Sequence, residues 1–469
     1  MLFGPLIPLM IYKAYMYQPR PWPRLLKQLC AFILTLFPII AFYLILWRNE
    51  VRIPILDDYD IVLNLISWAS RHHSPSARLV YMVTREHNGY KLIFDNAVVL
   101  GQYILLGRVH FLPLVIVGNL LALCIFIVVL CMSRVAPAST TDRWLLLTPV
   151  AWLVIQLQYA SALDFASCSL QNLGVVFFAL LCISWLDKRT KVAFGASCVA
   201  LVFAIASSPS GFFVAPVGLV LLGQNKRWRE SGVWAVTTAV ILILYLFRYT
   251  TPVASEAVAG IHANPMTHYN LLYALSFMGS SVARFSSITP AVVLGVLFCG
   301  VVLVAVKLKY FRANPPVFYA MVLIIINALA VSGLRSDLGV AQSLASRYRI
   351  YSNLFLAFTY LFFVEAILPM LQRKSARRAL FAAALLVSIA FGTLSDIAGA
   401  NFLRGKKVAL TINYRMRWQG RPTGTDINAT ELQKNPILQR QIKEGVYDID
   451  LPSLREAVRD RIYDPPQNP

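Results

Sequence analysis

An all-α polytopic membrane protein is the fold class this sequence predicts, and three observations predict it. Of 469 residues, 58% are hydrophobic and 14% charged, a balance far from that of a soluble domain. Apolar runs of spanning length recur along most of the chain. The net charge is +21, and alternate loops carry basic clusters with few acids beside them, as sidedness across a membrane requires. Sidedness accounts for the basic balance without a nucleic-acid partner.

The first apolar run, 29–47, follows Lys13, Arg20, Arg24 and Lys27 and is not followed by a small-residue cleavage site, so it reads as an uncleaved first helix. Further runs cover 110–132, 144–162, 170–186, 192–207, 209–223, 232–249, 287–306, 316–334, 352–371 and 377–396, giving a bundle of about 11 transmembrane helices. The runs 192–207 and 209–223 are short. Breaking them at "SSPSG" makes a hairpin whose basic ends "DKRTK" and "NKRWR" share a side. Six of the seven cysteines fall in or beside apolar runs and act as small hydrophobes, with no zinc or disulfide spacing. No internal repeat divides the chain into halves.

With that hairpin, the segments 1–28, Arg134 with Arg143, "DKRTK", "NKRWR", "KLKYFR" and "QRKSARR" hold nineteen Lys or Arg against Asp142, Asp187 and Glu230. These are the expected cytoplasmic segments. Loops 48–109, 249–286 and 335–351 then lie on the opposite face with the tail 397–469. The chain thus divides into a transmembrane domain, 1–396, and a small extracytoplasmic tail of mixed charge with short helical stretches.

Loop 48–109 carries the main chemical signal. It opens on "DDYD", with Asp57, Asp58 and Asp60 within four residues, and continues through amphipathic stretches that read as interfacial helices around a polar turn. One acid suffices to cap a helix N-terminus. Three so close favour a base or a cation site. Other polar residues map to the same face: Arg85, Glu86, His87, Asn88 and Lys91 in "TREHNGYK"; Asp164, Gln171 and Asn172; Ser208 and Ser210; and Arg347, Tyr348, Arg349 and Tyr351 in "SRYRIY". Plainer roles compete for each: solvated histidines, helix caps, interfacial anchors. Glu365, deeper in its span, is expected to pair structurally with a nearby Lys or Arg.

A first span followed at once by an acidic motif and amphipathic loop helices resembles the GT-C superfamily of integral membrane glycosyltransferases. "PILDDYD", "REHNGYKLIFDNAVVLGQYILLG", "SLQNLGVVF" and "SRYRIYSNL" resemble, more narrowly, the bacterial O-antigen-modifying, serotype-converting glucosyltransferases. Related members often carry Asp-Glu-Trp where this chain has Asp57-Asp58-Tyr59, and a basic residue where Gly89-Tyr90 stand. The resemblance implies a GT-C-like bundle in the bacterial inner membrane, with its active site and C-terminus periplasmic. It implies transfer of a hexose, glucose by analogy, from a polyprenyl-phosphate donor to a glycan acceptor such as O-antigen, with inversion. A carboxylate would take the acceptor hydroxyl's proton, with Asp57 ranked first, Asp58 second and Asp60, the expected cap, third. Arg347 or Arg349 would hold the leaving phosphate, with Arg85 and Lys91 in reserve. Glu86, His87, Asn88, Asp164, Gln171, Asn172 and Tyr348 would line the donor and acceptor cavity. No cofactor or metal is expected; a divalent ion at Asp57 and Asp58 is the open alternative. A polysaccharide polymerase or ligase with a pyrophosphate-linked donor, and a lipid-linked sugar flippase, are the competing classes.

The charge asymmetry predicts Met1 inside and Pro469 outside. A reporter active only in the cytoplasm should be silent when fused after Pro469; activity there would require an even number of passes.

Overall fold

The computed structural model describes residues 21–50, 52–135, 140–249, 268–285, 287–418 and 440–447. The first helix, α1 (Pro21–Asn49), leads into the loop, where a π turn (Tyr59–Asn64) runs into α2 (Leu65–Arg71), followed by α3 (Pro75–Thr84) and α4 (Ile93–Leu106). Between α3 and α4 a two-stranded hairpin, β1 (Glu86–His87) with β2 (Tyr90–Lys91), interrupts the helices. The bundle continues with α5 (Phe111–Met132), α6 (Thr140–Val154), α7 (Ala166–Leu186), α8 (Lys191–Ser207), α9 (Val214–Gln224), α10 (Trp228–Leu246), α11 (His268–Met278), α12 (Ile288–Lys307), α13 (Pro315–Arg335), α14 (Arg349–Phe362) and α15 (Lys374–Trp418).

Eight helical segments among the described residues are long and apolar enough to cross a bilayer: Leu26–Asn49, Phe111–Met132, Ala166–Leu186, Trp228–Leu246, Ile288–Lys307, Pro315–Leu338, Ser346–Met370 and Lys374–Leu410. The other three expected spans are helical but shorter. α6 has 15 residues and gives way to a 3-10 segment at Leu157–Ala162; α8 has 17 and α9 has 11. The break between α8 and α9 falls at Ser208, where the chain turns so tightly that a Cβ on Gly211 would stand 2.3 Å from the Ala204 carbonyl oxygen. Apolar side chains on α10 (Val236, Ile243, Leu244) and α12 (Val296, Leu297, Leu303) are exposed, a surface suited to lipid rather than water. α7 is buried on most sides.

Helix contacts depend on missing side chains, as in membrane bundles where packing replaces the hydrophobic drive between helices. A Cβ on Gly295 of α12 would lie 2.1 Å from the Leu275 carbonyl oxygen of α11, and one on Gly279 only 1.9 Å from the Ala291 oxygen. Gly392 and Gly399 bring α15 against Trp152 and Leu157.

The expected basic segments meet one another at one end. Lys27 pairs with Asp142; Arg134 bonds Asp187 at 2.5 Å and the Ala313 carbonyl; Arg227 donates to the Leu186 carbonyl. Glu365 sits at this end, but not in the expected pairing with a basic side chain. Its carboxylate accepts from the Tyr310 hydroxyl (2.7 Å), Asn314 Nδ2 (2.7 Å), the Arg134 backbone N–H (2.7 Å) and the Ser133 hydroxyl (3.3 Å). Neutral donors from three segments satisfy the acid, which leaves the Arg134 guanidinium for Asp187.

The last expected span, 377–396, lies within α15, a single helix of 45 residues that ends at Trp418. Of the tail beyond it, residues 440–447 are described. They pack beside Val109, whose N–H donates to the Val446 carbonyl (2.9 Å). The remaining tail lies outside the described residues.

The α11–α12 contact gives a stability prediction. Gly295→Ala should lower the thermal midpoint in detergent by the equivalent of about 1–3 kcal/mol of overpacking, whereas Gly300→Ala, with open space around its Cβ, should not. Equal midpoints would mean that α11 and α12 are not in close contact.

Candidate active site

The acidic motif is shaped by its own backbone. Leu56 adopts a positive φ of 47°, and the turn that follows returns the Asp58 N–H to the Ile55 carbonyl (2.9 Å). The Asp57 carbonyl then accepts from Asp60 and Ile61, starting the π turn. This sends three adjacent acids in three directions.

Asp58 is fully buried. It does not cap its own helix. Instead its Oδ1 accepts from the backbone N–H (2.9 Å) and hydroxyl (2.7 Å) of Ser167, in the first turn of α7, and its Oδ2 accepts from the Ile55 N–H (3.2 Å). The acid therefore caps a distant helix and closes its own turn. Burial pushes its pKa up to about 6, against the pull of the Ser167 and Ile55 donors. Nearby Asp95, in the first turn of α4, is also fully buried and has no hydrogen-bond partner among the described residues; burial and the charge of Asp58 push its pKa well above the usual carboxylate range.

Asp60 is not a backbone cap either. It accepts from His87 Nδ1 (2.6 Å) and Asn64 Nδ2 (2.9 Å), with the Arg85 guanidinium 3.2 Å away. Partial burial works upward on its carboxyl, but the His87 bond and the Arg85 charge overcome it and hold the pKa well below the usual range.

Asp57 is the acid that faces open space, with its side chain half exposed. It lines a polar cavity of about 310 Å³ together with Asn88, Tyr90, Gln171, Asn172 and Arg347, among others. Tyr348, Tyr351, Ser208 and Ser210 belong to the same wall, so the α8–α9 turn ends at the site. Asn88 and Tyr90 reach the cavity through the hairpin, whose turn places Asn88 and Gly89 at φ 50° and 76°. An Asn-Gly pair suits such a turn because both positions need φ above zero.

Several candidate residues lie elsewhere. Arg85 donates to the carbonyls of Asp60 and Ile61, the latter at 3.0 Å, and so holds the turn. Lys91 is buried, with Nζ on the Phe247 carbonyl (2.6 Å) and its N–H on the Tyr245 hydroxyl (2.9 Å), tying the hairpin to the end of α10. Arg349 donates to the Leu344 carbonyl at 3.1 and 3.2 Å. Glu86 sits opposite Lys91 in the hairpin, outside the cavity wall. Asp164 pairs with Lys406 of α15 at 2.5 Å and borders a different crevice, of about 290 Å³, whose wall of Leu46, Ile116, Leu120, Leu163 and Leu403 is mostly apolar.

Sequence reasoning missed Arg335 at the end of α13, which lines the polar cavity with Arg347. Its signal was available: a basic residue at the end of an apolar run opposite the expected basic segments runs against the charge bias. It also missed Tyr90, which lines the cavity with Gln171, although the Asn88-Gly89 turn marks a hairpin. Among the described residues no group of three His, Cys, Asp or Glu could hold a metal ion. Both Asp58 oxygens accept N–H or O–H donors, so that carboxylate already serves the loop and α7. No protein-family model, no curated protein and no solved structure matches this chain.

Asp58 yields a pH prediction. Its folded pKa of about 6 exceeds the unfolded value of 3.8, so its contribution to stability is full below 3.8 and is lost as pH rises through about 6, at most roughly 3 kcal/mol. Asp58→Asn should remove that slope from the thermal midpoint measured between pH 4 and 7. An unchanged slope would assign it to another group.

Proposed function

We propose that the chain is an integral membrane glycosyltransferase of GT-C type, which moves a hexose from a polyprenyl-phosphate donor to a hydroxyl of a glycan at the outer face of the bacterial inner membrane. The observation that carries this reading is one cavity lined by a half-exposed carboxylate, Asp57, and two guanidiniums, Arg335 and Arg347. A hydroxyl is a poor nucleophile until a base takes its proton, and Asp57 is the acid of the motif that a substrate can reach. The leaving phosphate gains negative charge as the anomeric bond breaks, and planar guanidiniums hold phosphate oxygens in pairs. Attack opposite the phosphate inverts the anomeric carbon.

A second cavity supports a lipid-linked donor. The apolar crevice ends at Leu163 and Asp164, and the polar cavity begins at Phe165 and Ser167 on the same segment. A lipid chain in the bilayer can thus present its head group without leaving the membrane. Glucose and O-antigen follow from the resemblance alone. The second guanidinium gives the polymerase or ligase reading an observation of its own, since Arg335 with Arg347 also suits a pyrophosphate.

The test is transfer from polyprenyl-phosphate hexose to a lipid-linked glycan by protein in proteoliposomes. Asp57→Asn should keep donor binding and lose about 10²- to 10⁴-fold in turnover. Arg347→Lys should weaken both binding and turnover, because an ammonium cannot make the two-point contact. Full turnover in Asp57→Asn would exclude Asp57 as the base, and use of only a pyrophosphate-linked donor would favour the polymerase or ligase.

A further inference from the structure

Behind Asp57 the hairpin holds an imidazole that the proposed reaction does not yet use. His87 is nearly buried, its side chain 10% exposed. Its Nδ1 lies 2.6 Å from Asp60 Oδ2, its Nε2 2.9 Å from Asn88 Nδ2 and 3.8 Å from Asp57 Oδ1. Asp60 is kept ionised by Arg85, Asn64 and His87 itself, so it can only accept, and Nδ1 must carry the proton between them. In the neutral ring that leaves the lone pair on Nε2, where Asn88 donates to it, on the side of Asp57. A carboxylate fixing one imidazole nitrogen so that the other can receive a proton is the logic of a catalytic triad.

Resting on the glycosyltransferase reading, we infer that His87 acts through Asp57, receiving the proton that this carboxylate takes, with Asp60 fixing the ring. The acceptor O–H proton moves to Asp57 as the acceptor oxygen bonds the anomeric carbon, and the electron pair of the broken C–O bond stays on the leaving phosphate. Substrate filling the cavity closes the direct path from Asp57 to water. Asp57 then passes its proton to Nε2 as Asn88 gives up its hydrogen bond to that lone pair and turns its amide oxygen to the ring; the imidazolium, balanced by Asp60, releases the proton to solvent after product leaves. The 3.8 Å separation requires a small side-chain rotation or one bridging water, as is common before substrate binds. The charged and titratable groups around the ring are Asp57 and Asp60 from the acidic turn, Arg85 and Glu86 before it on the chain, and Tyr90 across the hairpin; Arg335 and Arg347 stand in the cavity beyond Asp57.

Two measurements test this separately from the reaction itself. Nitrogen NMR of histidine-labelled protein in nanodiscs, with His87 assigned by loss of its signals in His87→Gln, should show the Nδ1–H tautomer in the neutral ring and a mixture in Asp60→Asn. In the transfer assay, His87→Ala should keep donor binding, lose roughly 10²-fold or more in turnover, and regain part of it with added imidazole; a purely structural ring would not be rescued. An Nε2–H tautomer overturns the inference whatever the protein transfers. Full turnover in His87→Ala, or a loss that imidazole does not relieve, also overturns it. No transfer by the unaltered protein would instead remove the glycosyltransferase reading, and the relay with it, even with the Nδ1–H tautomer present.

Discussion

The contact between Asp58 and Ser167 is the constraint on which the cavity end of this protein depends. A helix N-terminus buried in a bundle leaves N–H groups that water cannot reach, and α7 is such a helix. The acid that satisfies it comes from the first loop, so the same bond that closes the end of α7 also fastens that loop to the bundle. Once Asp58 is spent in this way, the backbone turn sends Asp57 toward the cavity and Asp60 toward the hairpin. The separation of roles within four residues follows from one buried bond.

The hairpin is held from its other side by equally long-range contacts. Lys91 reaches the Phe247 carbonyl and the Tyr249 hydroxyl reaches the Gly89 carbonyl, so the end of α10 forms a floor under the turn. A lysine buried against a carbonyl and an arginine buried against two more are positive charges used as struts. They leave the cavity's own positive charge to Arg335, at the end of α13, and Arg347, two residues before α14, both far from the first loop in sequence. The opposite end of the bundle is closed by a different device, Glu365, which gathers a tyrosine, an asparagine and two groups of residues 133–134 around one carboxylate. Charge at depth is tolerated there because every lone pair has a donor.

Asp58 and Asp57 illustrate how burial divides chemically identical side chains. The first has three donors and no access; the second has access and, at 3.8 Å, an imidazole that is itself fixed by a third acid. Access to a ligand, not proximity in the motif, separates a structural carboxylate from one able to exchange a proton.

The sequence by itself determined the class. Continuous hydrophobic runs of this length read as helices because a helix satisfies its own backbone in lipid, and the eleven runs are helical in the described chain, eight of them long enough to span. It also marked which loops share an end, since charge bias acts on loops one at a time. The Asn88-Gly89 turn was legible in the same local sense, although the helical reading passed over it. The length of α15 beyond 396 was not, because residues 397–418 carry five Lys or Arg and form no apolar run of their own. What only the tertiary structure decided is which acid and which arginine face the cavity. Asp58 finds its partner 109 residues away and Lys91 finds its own at 156. The role of a charged side chain is set by what burial brings next to it, and no local pattern carries that information.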